Sequence, residues 1–335
     1  MKTVKIFLAA IAFIIAMPAF PQADKIQVHD PVMIKQGDTW YLFCTGMGIS
    51  VWSSTDMKQW KSCKPVFDKA PAWAVEAVEG YKGHTWAPDI SFHNGKYYLY
   101  YSVSAFGKNT SCIGVATNTT LDPADPAFKW IDHGKVIQSV PGRDMWNAID
   151  PNLIVDDTGT PWLVFGSFWD GMKLAKLDQS FTKVAEPQEW HTVSARPRDY
   201  FTDEYNAGEG SVEAPFLFKK DKYYYLFVSF DFCCRGLEST YKVVVGRSEN
   251  ITGPYVDRDG RKMIYGAGTP VLTGNKDWPG VGHSATYTFD GIDYIIYHGY
   301  DASDHGRSKL LIDTLQWDKD GWPVVKNSVT AANQK

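Results

Sequence analysis

The chain repeats one short plan five times, and this repeat limits the folds open to it more than any other feature. Each copy begins with a polar or acidic residue, often with proline next to it, and continues as an alternating strand, a turn and an aromatic strand. The copies are HDPVMIKQGDTWYLFCTG (29–46), WAPDISFHNGKYYLYYSVS (86–104), IDPNLIVDDTGTPWLVFGSF (149–168), EAPFLFKKDKYYYLFVSF (213–230) and HSATYTFDGIDYIIYHGY (283–300). Their corresponding positions, Pro31, Pro88, Pro151, Pro215 and Ala285, are 57, 63, 64 and 70 residues apart. Such a period indicates an array of similar structural units.

The turns inside the copies indicate β-hairpins. Four turns contain glycine and one does not: Gln36-Gly37-Asp38, Asn94-Gly95, Thr158-Gly159, Asp290-Gly291 and, without glycine, Lys220-Asp221-Lys222. A further apolar segment follows each copy, so each unit has about four strands, and no segment keeps a helical period. The pattern predicts an all-β fold, a five-bladed β-propeller. A β-sandwich would need no repeat of this length, and a β-helix has a much shorter one.

The first residues have the composition of an export signal. Lys2 and Lys5 precede an apolar run from Ile6 to Met17, which is short for a membrane span, and small residues follow it. We therefore predict a signal peptide at 1–23, cut after Ala19 or Ala23, and a single propeller domain at 24–335. The protein is expected to be secreted, to the periplasm or the exterior, with no membrane segment.

Charge and cysteine content narrow the partners further. The net charge of −4, without a basic run, argues against a nucleic-acid partner. Aromatic residues make up 15% of the chain, which suits both β-sheet packing and stacking against sugar rings. The five cysteines match no zinc motif, and the adjacent pair Cys233-Cys234 fits a vicinal disulfide as well as two free thiols.

Three acids lie near the starts of the first strands of three copies. They are Asp30 in copy one, Asp150 in copy three and Glu213 in copy four. Because the first strand of each propeller blade lines the central channel, we expect the three acids to meet at one mouth of it. Gathered carboxylates raise the pKa of at least one of them, as general-acid catalysis near neutral pH requires. A single Asp-Pro also fits a turn cap, but three acids together suit glycoside hydrolysis, which uses paired carboxylates.

The same stretches hold side chains that could bind a sugar. Trp86, Trp146 and Trp169 are candidate stacking platforms. Asn147, Ser167 and Asp89 are candidate partners for sugar hydroxyls. Taken singly, each of these residues also suits a place in the core or in a turn.

Eight short motifs carry a resemblance to a known family. They are VHDP (28–31), HTWAPDI (84–90), YSVSAFGKNTS (101–111), WNAIDPN (146–152), GSFWDG (166–171), EGSVEAP (209–215), FDFCCRG (230–236) and GVGHSATY (280–287). In this set and order the chain resembles the arabinan endo-1,5-α-L-arabinanases of the family 43 glycoside hydrolases, from about residue 26 to residue 324. The resemblance implies a secreted hydrolase that cleaves internal α-1,5 bonds of pectic arabinan.

The resemblance also implies roles for individual residues. Asp30 matches the general base, Glu213 the general acid, and Asp150 the acid that raises the pKa of the proton donor and orients it. Because the family inverts the anomeric centre, Asp30 and Glu213 should lie about 6.5–9.5 Å apart. Further positions match substrate-contacting segments, with Trp86 as a platform: Trp86, Gly107, Asn147, Ala148, Ile149, Ser167, Phe168 and Trp169. Arg307 belongs to a less diagnostic motif near the same region.

His283 matches a family histidine that is associated with a bound ion, commonly calcium. Since calcium prefers oxygen ligands, waters would have to complete its shell, and a hydrogen-bonded core histidine is the alternative. No organic cofactor is expected, and we expect a monomer.

Three other functions fit parts of the pattern. An exo-acting arabinofuranosidase or β-xylosidase could use the same scaffold. A sugar-binding propeller without activity would be expected to have lost one of the acids. A retaining fructan hydrolase would bring its two working carboxylates to about 5–5.5 Å.

Overall fold

The computed structural model describes residues 25–326, and in this part of the chain the strands form five antiparallel sheets. The strands, in chain order, are β1 (Val32–Gln36), β2 (Thr39–Cys44), β3 (Gly46–Met47), β4 (Ser50–Ser54), β5 (Lys61–Ser62), β6 (His84–His93), β7 (Lys96–Val103), β8 (Ser111–Asn118), β9 (Ile131–Ser139), β10 (Asn152–Val155), β11 (Pro161–Phe165), β12 (Met172–Lys176), β13 (Trp190–Ser194), β14 (Val212–Lys220), β15 (Tyr223–Phe230), β16 (Lys242–Ser248), β17 (Thr269–Thr273), β18 (Val281–Phe289), β19 (Ile292–Asp301), β20 (Arg307–Trp317) and β21 (Pro323–Val325). The helices are α1 (Ala72–Ala77) and three 3₁₀ turns, Gly236–Glu238, Met263–Tyr265 and Ala302–Asp304. The predicted signal peptide lies outside the described residues.

The five sheets are the blades of a propeller. Blade one is β1-β2-β4-β5, blade two is β3-β6-β7-β8-β9, and blades three to five are β10 to β13, β14 to β17 and β18 to β21. The first long strand of each blade contacts that of the next, from β1 through β6, β10 and β14 to β18, and β18 contacts β1. This closed ring confirms the predicted five-bladed β-propeller. None of the described helices is long and apolar enough to cross a membrane.

Aromatic side chains fill the space between the sheets. Tyr101, Phe43, Phe227 and Tyr297 are essentially inaccessible to solvent and belong to one large core cluster. Broad, flat rings pack well against the pleated faces of strands, so sheet packing accounts for much of the aromatic excess.

The segment before β1 joins the first blade to the last. Gln27 pairs with Lys309 of β20, and the carbonyl of Ile26 accepts a hydrogen bond of 3.1 Å from the backbone N–H of Leu310. Lys25 Nζ lies 2.8 Å from Asp301 Oδ2. Blade one is therefore tied to blade five by backbone pairing as well as by side-chain packing.

A second ring surrounds the axis where the inner strands begin. One residue there has a left-handed backbone in every blade: Asp30 (φ 55°), Ala87 (φ 37°), Asp150 (φ 57°), Ala214 (φ 54°) and His283 (φ 50°). Each donates its backbone N–H to a side chain of the preceding blade, and the acceptors are His298 Nδ1 at 3.2 Å, Thr45 Oγ1 at 2.8 Å, Ser102 Oγ at 3.0 Å, Asp150 Oδ2 at 3.1 Å and Ser229 Oγ at 2.9 Å. We call these five bonds the axial ring.

The axial ring corrects the alignment of the copies. In β18 the irregular register lies between Gly282 and Ala285, as it lies between Glu213 and Phe216 in β14. His283 is therefore the counterpart of Asp30 and Asp150, and Ser284, rather than Ala285, occupies the proline position. Glu213 lies one residue before this ring position, so the three acids are close in place but not strictly equivalent.

Asp89 joins two blades rather than meeting a sugar. It is 1% exposed and accepts hydrogen bonds from Asn152 Nδ2 at 3.1 Å and from the backbone N–H of Leu153 at 2.8 Å. Burial raises the pKa of its carboxyl to about 6. The idea that Asp89 binds a sugar hydroxyl is wrong, because its oxygens are used in the contact between blades two and three.

Asp89→Ala is expected to lower the free energy of unfolding by about 3 kcal/mol, since two buried donors lose their acceptor. Chemical denaturation followed by tryptophan fluorescence measures it. Asp68→Ala, at an exposed aspartate, is the matched control and should change stability little. A loss at Asp89 no larger than at Asp68 would contradict the assignment.

Candidate active site

A large cleft opens where the inner strands begin. Its volume is about 1090 Å³, and residues from all five blades line it. Asp30, Asp150, Glu213 and His283 are among them. The structure therefore brings together the three acids and the histidine that the sequence analysis singled out.

Asp30 is surrounded by histidines. Its Oδ1 lies 2.7 Å from His29 Nδ1, 3.0 Å from His283 Nδ1 and 3.8 Å from His298 Nδ1, and Thr45 Oγ1 donates to its Oδ2. Asp30 as a whole is 7% exposed, so these contacts act with little screening.

These contacts decide which groups carry charge. Burial alone would raise the pKa of Asp30, but the charges of His283 and His29 outweigh it and hold that pKa well below its usual range. Burial opposes charge on His283 as well, yet Asp30 raises the pKa of His283 to about 9. Burial and the neighbouring His29 lower the pKa of His298, whose Nδ1 accepts the N–H of Asp30. Asp30 is thus an ionised carboxylate throughout the neutral range.

Glu213 lies in a different environment. Ser167 Oγ donates to its Oε2 at 2.7 Å, and Tyr241 donates to its Oε1 at 2.9 Å. Burial raises its pKa, and the two hydroxyl donors and His283 oppose that rise only in part. A carboxyl with a raised pKa keeps its proton to higher pH, as a general acid must.

Asp150 contacts the start of the strand that carries Glu213. Its Oδ2 accepts the backbone N–H of Ala214, the residue after Glu213. Burial raises its pKa far above the usual value, and the charges of Glu213 and Asp30 add to the rise while His283 opposes it. Because burial and the charge of Glu213 both disfavour ionisation of Asp150, the pair of buried carboxyl groups keeps a proton to higher pH than an isolated carboxyl would.

The orientation of Asp150 follows from a glycine. Thr45, Ser102, Ser229 and His298 supply the axial-ring acceptors of the other blades, and Gly166 takes the matching place in blade three. A Cβ at Gly166 would lie 2.9 Å from the carbonyl oxygen of Gly171, and its φ is 135°. No side chain fits at Gly166. In this blade the carboxylate of Asp150 therefore accepts the axial-ring hydrogen bond from the N–H of Ala214.

Most of the predicted substrate contacts line the cleft. Those that do so are Trp86, Gly107, Asn147, Ile149, Ser167, Phe168 and Trp169. Ala148 does not, because it is fully buried with its N–H on Ser139 Oγ. Arg307 pairs with Asp304 on the surface, with 62% of its side chain exposed.

Two of the tryptophans proposed as platforms make contacts within the fold. Trp146 packs against Phe165 and Trp190 in a core cluster, with ring centroids 5.5 and 5.4 Å apart. Trp169 is 2% exposed, and its indole N–H donates to the carbonyl of Glu204. Trp146 is not among the residues that line the cleft and is therefore no platform, whereas Trp86 and Trp169 line it, so their contacts with a sugar stay predictions.

Asn147 is prepared to receive a hydrogen bond. Its side chain is 4% exposed and lines the cleft, and its Oδ1 has no hydrogen-bond partner among the described residues. A buried amide oxygen without a donor is costly, so a donor such as a sugar hydroxyl would satisfy it. This observation supports the predicted contact.

Several residues of the site were not predicted. His29, Tyr241, Thr45 and Tyr300 contact the acids or their partners. His29 directly precedes Asp30 in the VHDP motif, so its position was a signal. Tyr241 gave none, because its contact with Glu213 reaches from the residue before β16 past β15 to β14.

The donor atoms near His283 do not form a calcium site by themselves. Calcium takes six to eight oxygen ligands, whereas the Nδ1 atom of His283 is used on Asp30. Among the described residues, His29, Asp30 and His298 have donor atoms within 4.8 Å of one another, but their Nδ1 atoms already face the carboxylate or the N–H of Asp30. The ion at His283 stays a prediction.

A propeller whose axial cleft holds three carboxylates, one ionised and two with raised pKa values, has the equipment of a glycoside hydrolase. Residues 25–323 match the family Glycosyl hydrolases family 43. The chain belongs to this family, and it is a glycoside hydrolase.

Known proteins resemble it along most of their length. It is 52% identical over 319 residues to the extracellular exo-alpha-(1->5)-L-arabinofuranosidase ArbA of Cellvibrio japonicus (strain Ueda107), covering 95% of this chain and 92% of that one. It is 44% identical over 322 residues to the extracellular endo-alpha-(1->5)-L-arabinanase 1 of Bacillus subtilis (strain 168), covering 94% of each. The structure of the Cellvibrio cellulosa alpha-L-arabinanase complexed with arabinohexaose matches with a TM-score of 0.90 and 50% identity, over 92% of this chain and 99% of that one.

Proposed function

We propose that the protein hydrolyses α-1,5-linked arabinan with inversion of configuration. The observation that carries this is the contrast between Asp30 and Glu213 in one cleft: histidines hold the pKa of Asp30 well below its usual range, while burial raises the pKa of Glu213. The similarity to arabinan-cleaving enzymes supports the choice of substrate. The relatives named extracellular support export of the mature protein.

The two acids divide the chemistry between them. Glu213 gives its proton to the glycosidic oxygen, so that the leaving sugar departs as an alcohol. Asp30 takes a proton from a water that attacks the anomeric carbon from the opposite face. Asp150, on the N–H of Ala214, holds the strand start that carries Glu213.

The protein's mode of action is proposed to be exo. The relative named exo-acting shares 52% identity with this chain, and the one named endo-acting shares 44%. This departs from the sequence-based prediction of endo action. Endo action stays the second candidate, since cleavage within the chain needs only a cleft that is open at both ends.

The products from linear 1,5-arabinan test both proposals. The purified protein is incubated with the polymer, and the products and the viscosity are followed from the earliest times. Exo action is expected to release one short product while viscosity falls slowly, whereas a ladder of oligosaccharides with an early fall in viscosity would establish endo action. A protein that releases nothing from arabinan but cleaves β-1,4-xylan or fructan would overturn the proposed substrate.

A further inference from the structure

Two adjacent thiols lie on the wall of the cleft, and the proposed reaction uses neither. Cys233 and Cys234 follow β15 and line the cleft beside the acids. Both are free thiols; Cys234 is exposed and Cys233 is half-buried. Their position makes them accessible to any small molecule that enters the cleft.

Cys234 is fixed against the histidine that supports Asp30. Its backbone N–H donates to the hydroxyl of Tyr300 at 2.7 Å, and the same hydroxyl lies 2.9 Å from His29 Nε2. The Sγ of Cys234 lies 3.7 Å from that Nε2. Because His29 Nδ1 is 2.7 Å from Asp30, only one imidazole ring separates the thiol from the carboxylate.

The groups around Cys234 favour the thiolate. A hydrogen bond from Cys233 lowers the pKa of Cys234 to about 5, burial opposes it, and His29 adds to the lowering while the charge of Asp30 opposes it. The pKa of Cys233 is raised well above its usual value, because it holds the proton between the two sulfurs. The other polar groups facing the pair are Glu213, Tyr300 and the chain neighbour Arg235, whose guanidinium lies 3.9 Å from the ring centroid of Phe232.

We propose that Cys234 is a modification site for small disulfides, and that its modification blocks hydrolysis. The thiolate Sγ attacks one sulfur of a disulfide R–S–S–R, a new S–S bond forms, and R–S⁻ leaves with the electron pair of the broken bond. The attached group then occupies the cleft, and His29 loses its thiolate partner. Only the inhibition rests on the proposed function; the reactivity of the thiol does not.

The test uses the aromatic disulfide 4,4′-dithiodipyridine on the purified protein at pH 5.5, with release of the thiopyridone followed by absorbance. At this pH the lowered pKa leaves much of Cys234 as thiolate, although a thiolate of low pKa is a weaker nucleophile. Because of these two effects together, Cys234 is expected to react with the disulfide about tenfold faster than Cys63, a half-buried cysteine away from the cleft. Peptide mapping by mass spectrometry identifies the modified residue.

Matched variants distinguish the reaction of Cys234 from that of Cys63. Cys234→Ser is expected to remove the fast phase and Cys63→Ser to keep it, while His29→Gln should slow it at pH 5.5. Release of a second equivalent with a Cys233–Cys234 disulfide in the map also supports the proposal, because Cys233 then attacks the Sγ of the modified Cys234. Equal rates for Cys63 and Cys234, or a fast phase that survives in Cys234→Ser, would overturn it.

Activity on arabinan is measured in the same samples. Loss of activity in step with the fast phase, and its return with dithiothreitol, supports the block. Full activity in protein labelled at Cys234 would overturn that half of the proposal. Labelling of Cys234 in a protein without arabinanase activity would refute the proposed function and leave the modification site standing.

Discussion

Glu213→Gln is expected to lower kcat/KM on linear arabinan by about 10³-fold, within the range for loss of a general acid. Glutamine keeps the shape of the side chain, and its amide can accept from one of Ser167 and Tyr241 and donate to the other, but it has no proton of suitable acidity to give. The sugar alkoxide would then have to leave unprotonated. Steady-state kinetics by reducing-sugar assay measures the loss.

The leaving group provides the decisive control for Glu213. The aryl group of an aryl arabino-oligosaccharide leaves as a stable phenolate and needs little protonation, so Glu213→Gln should cleave this substrate at a rate far nearer to that of the wild type. Glu209→Gln changes an exposed glutamate four residues earlier and should leave both substrates unaffected. If Glu213→Gln is equally slow on both substrates, the residue is not the acid.

Asp30→Ala is expected to cost about 10⁴-fold in kcat/KM, at the upper end for a lost general base. The attacking water loses its proton acceptor, and His29 and His283 lose the carboxylate that supports their charge. Unlike the change at Glu213, this loss should be the same for aryl and natural substrates, because the better leaving group does not activate the water.

Binding measurements keep the Asp30 experiment interpretable. Calorimetric titration with an arabino-oligosaccharide should show that Asp30→Ala still binds the sugar, which demonstrates a folded cleft. Asp38→Asn, at an exposed turn of the same hairpin, is the matched control and should be fully active. Substantial activity in Asp30→Ala would mean that another group serves as the base.

The repeat sufficed to predict the fold because each copy carries its own local signals. Turn residues such as Asn94 and Asp290 adopt left-handed backbone conformations between paired strands, as the hairpin signals indicate. The ring that joins the blades was not predictable in detail. The bulge in β18 shifts its alignment by one residue, and the sequence does not mark the place of a bulge.

The acids were found from sequence because they recur at the starts of inner strands, which converge in a propeller. Tyr241 and Thr45 escaped because each meets an acid through a contact across strands that no local pattern records. Trp146 and Asp89 were misjudged as sugar-binding residues for a related reason. A single tryptophan or aspartate in a strand looks the same in sequence whether it faces a neighbouring sheet or a ligand.

The axial ring and the candidate active site share residues. Of the five residues that donate the axial-ring hydrogen bonds, Asp30 and Asp150 are themselves acids of the cleft, and a third, Ala214, adjoins Glu213. Residues that we propose to be catalytic therefore also take part in closing the ring of blades, and the blades in turn fix the positions of these residues. A substitution near the propeller axis is therefore expected to change stability and activity together. Substitutions in the outer strands of the blades can change stability alone.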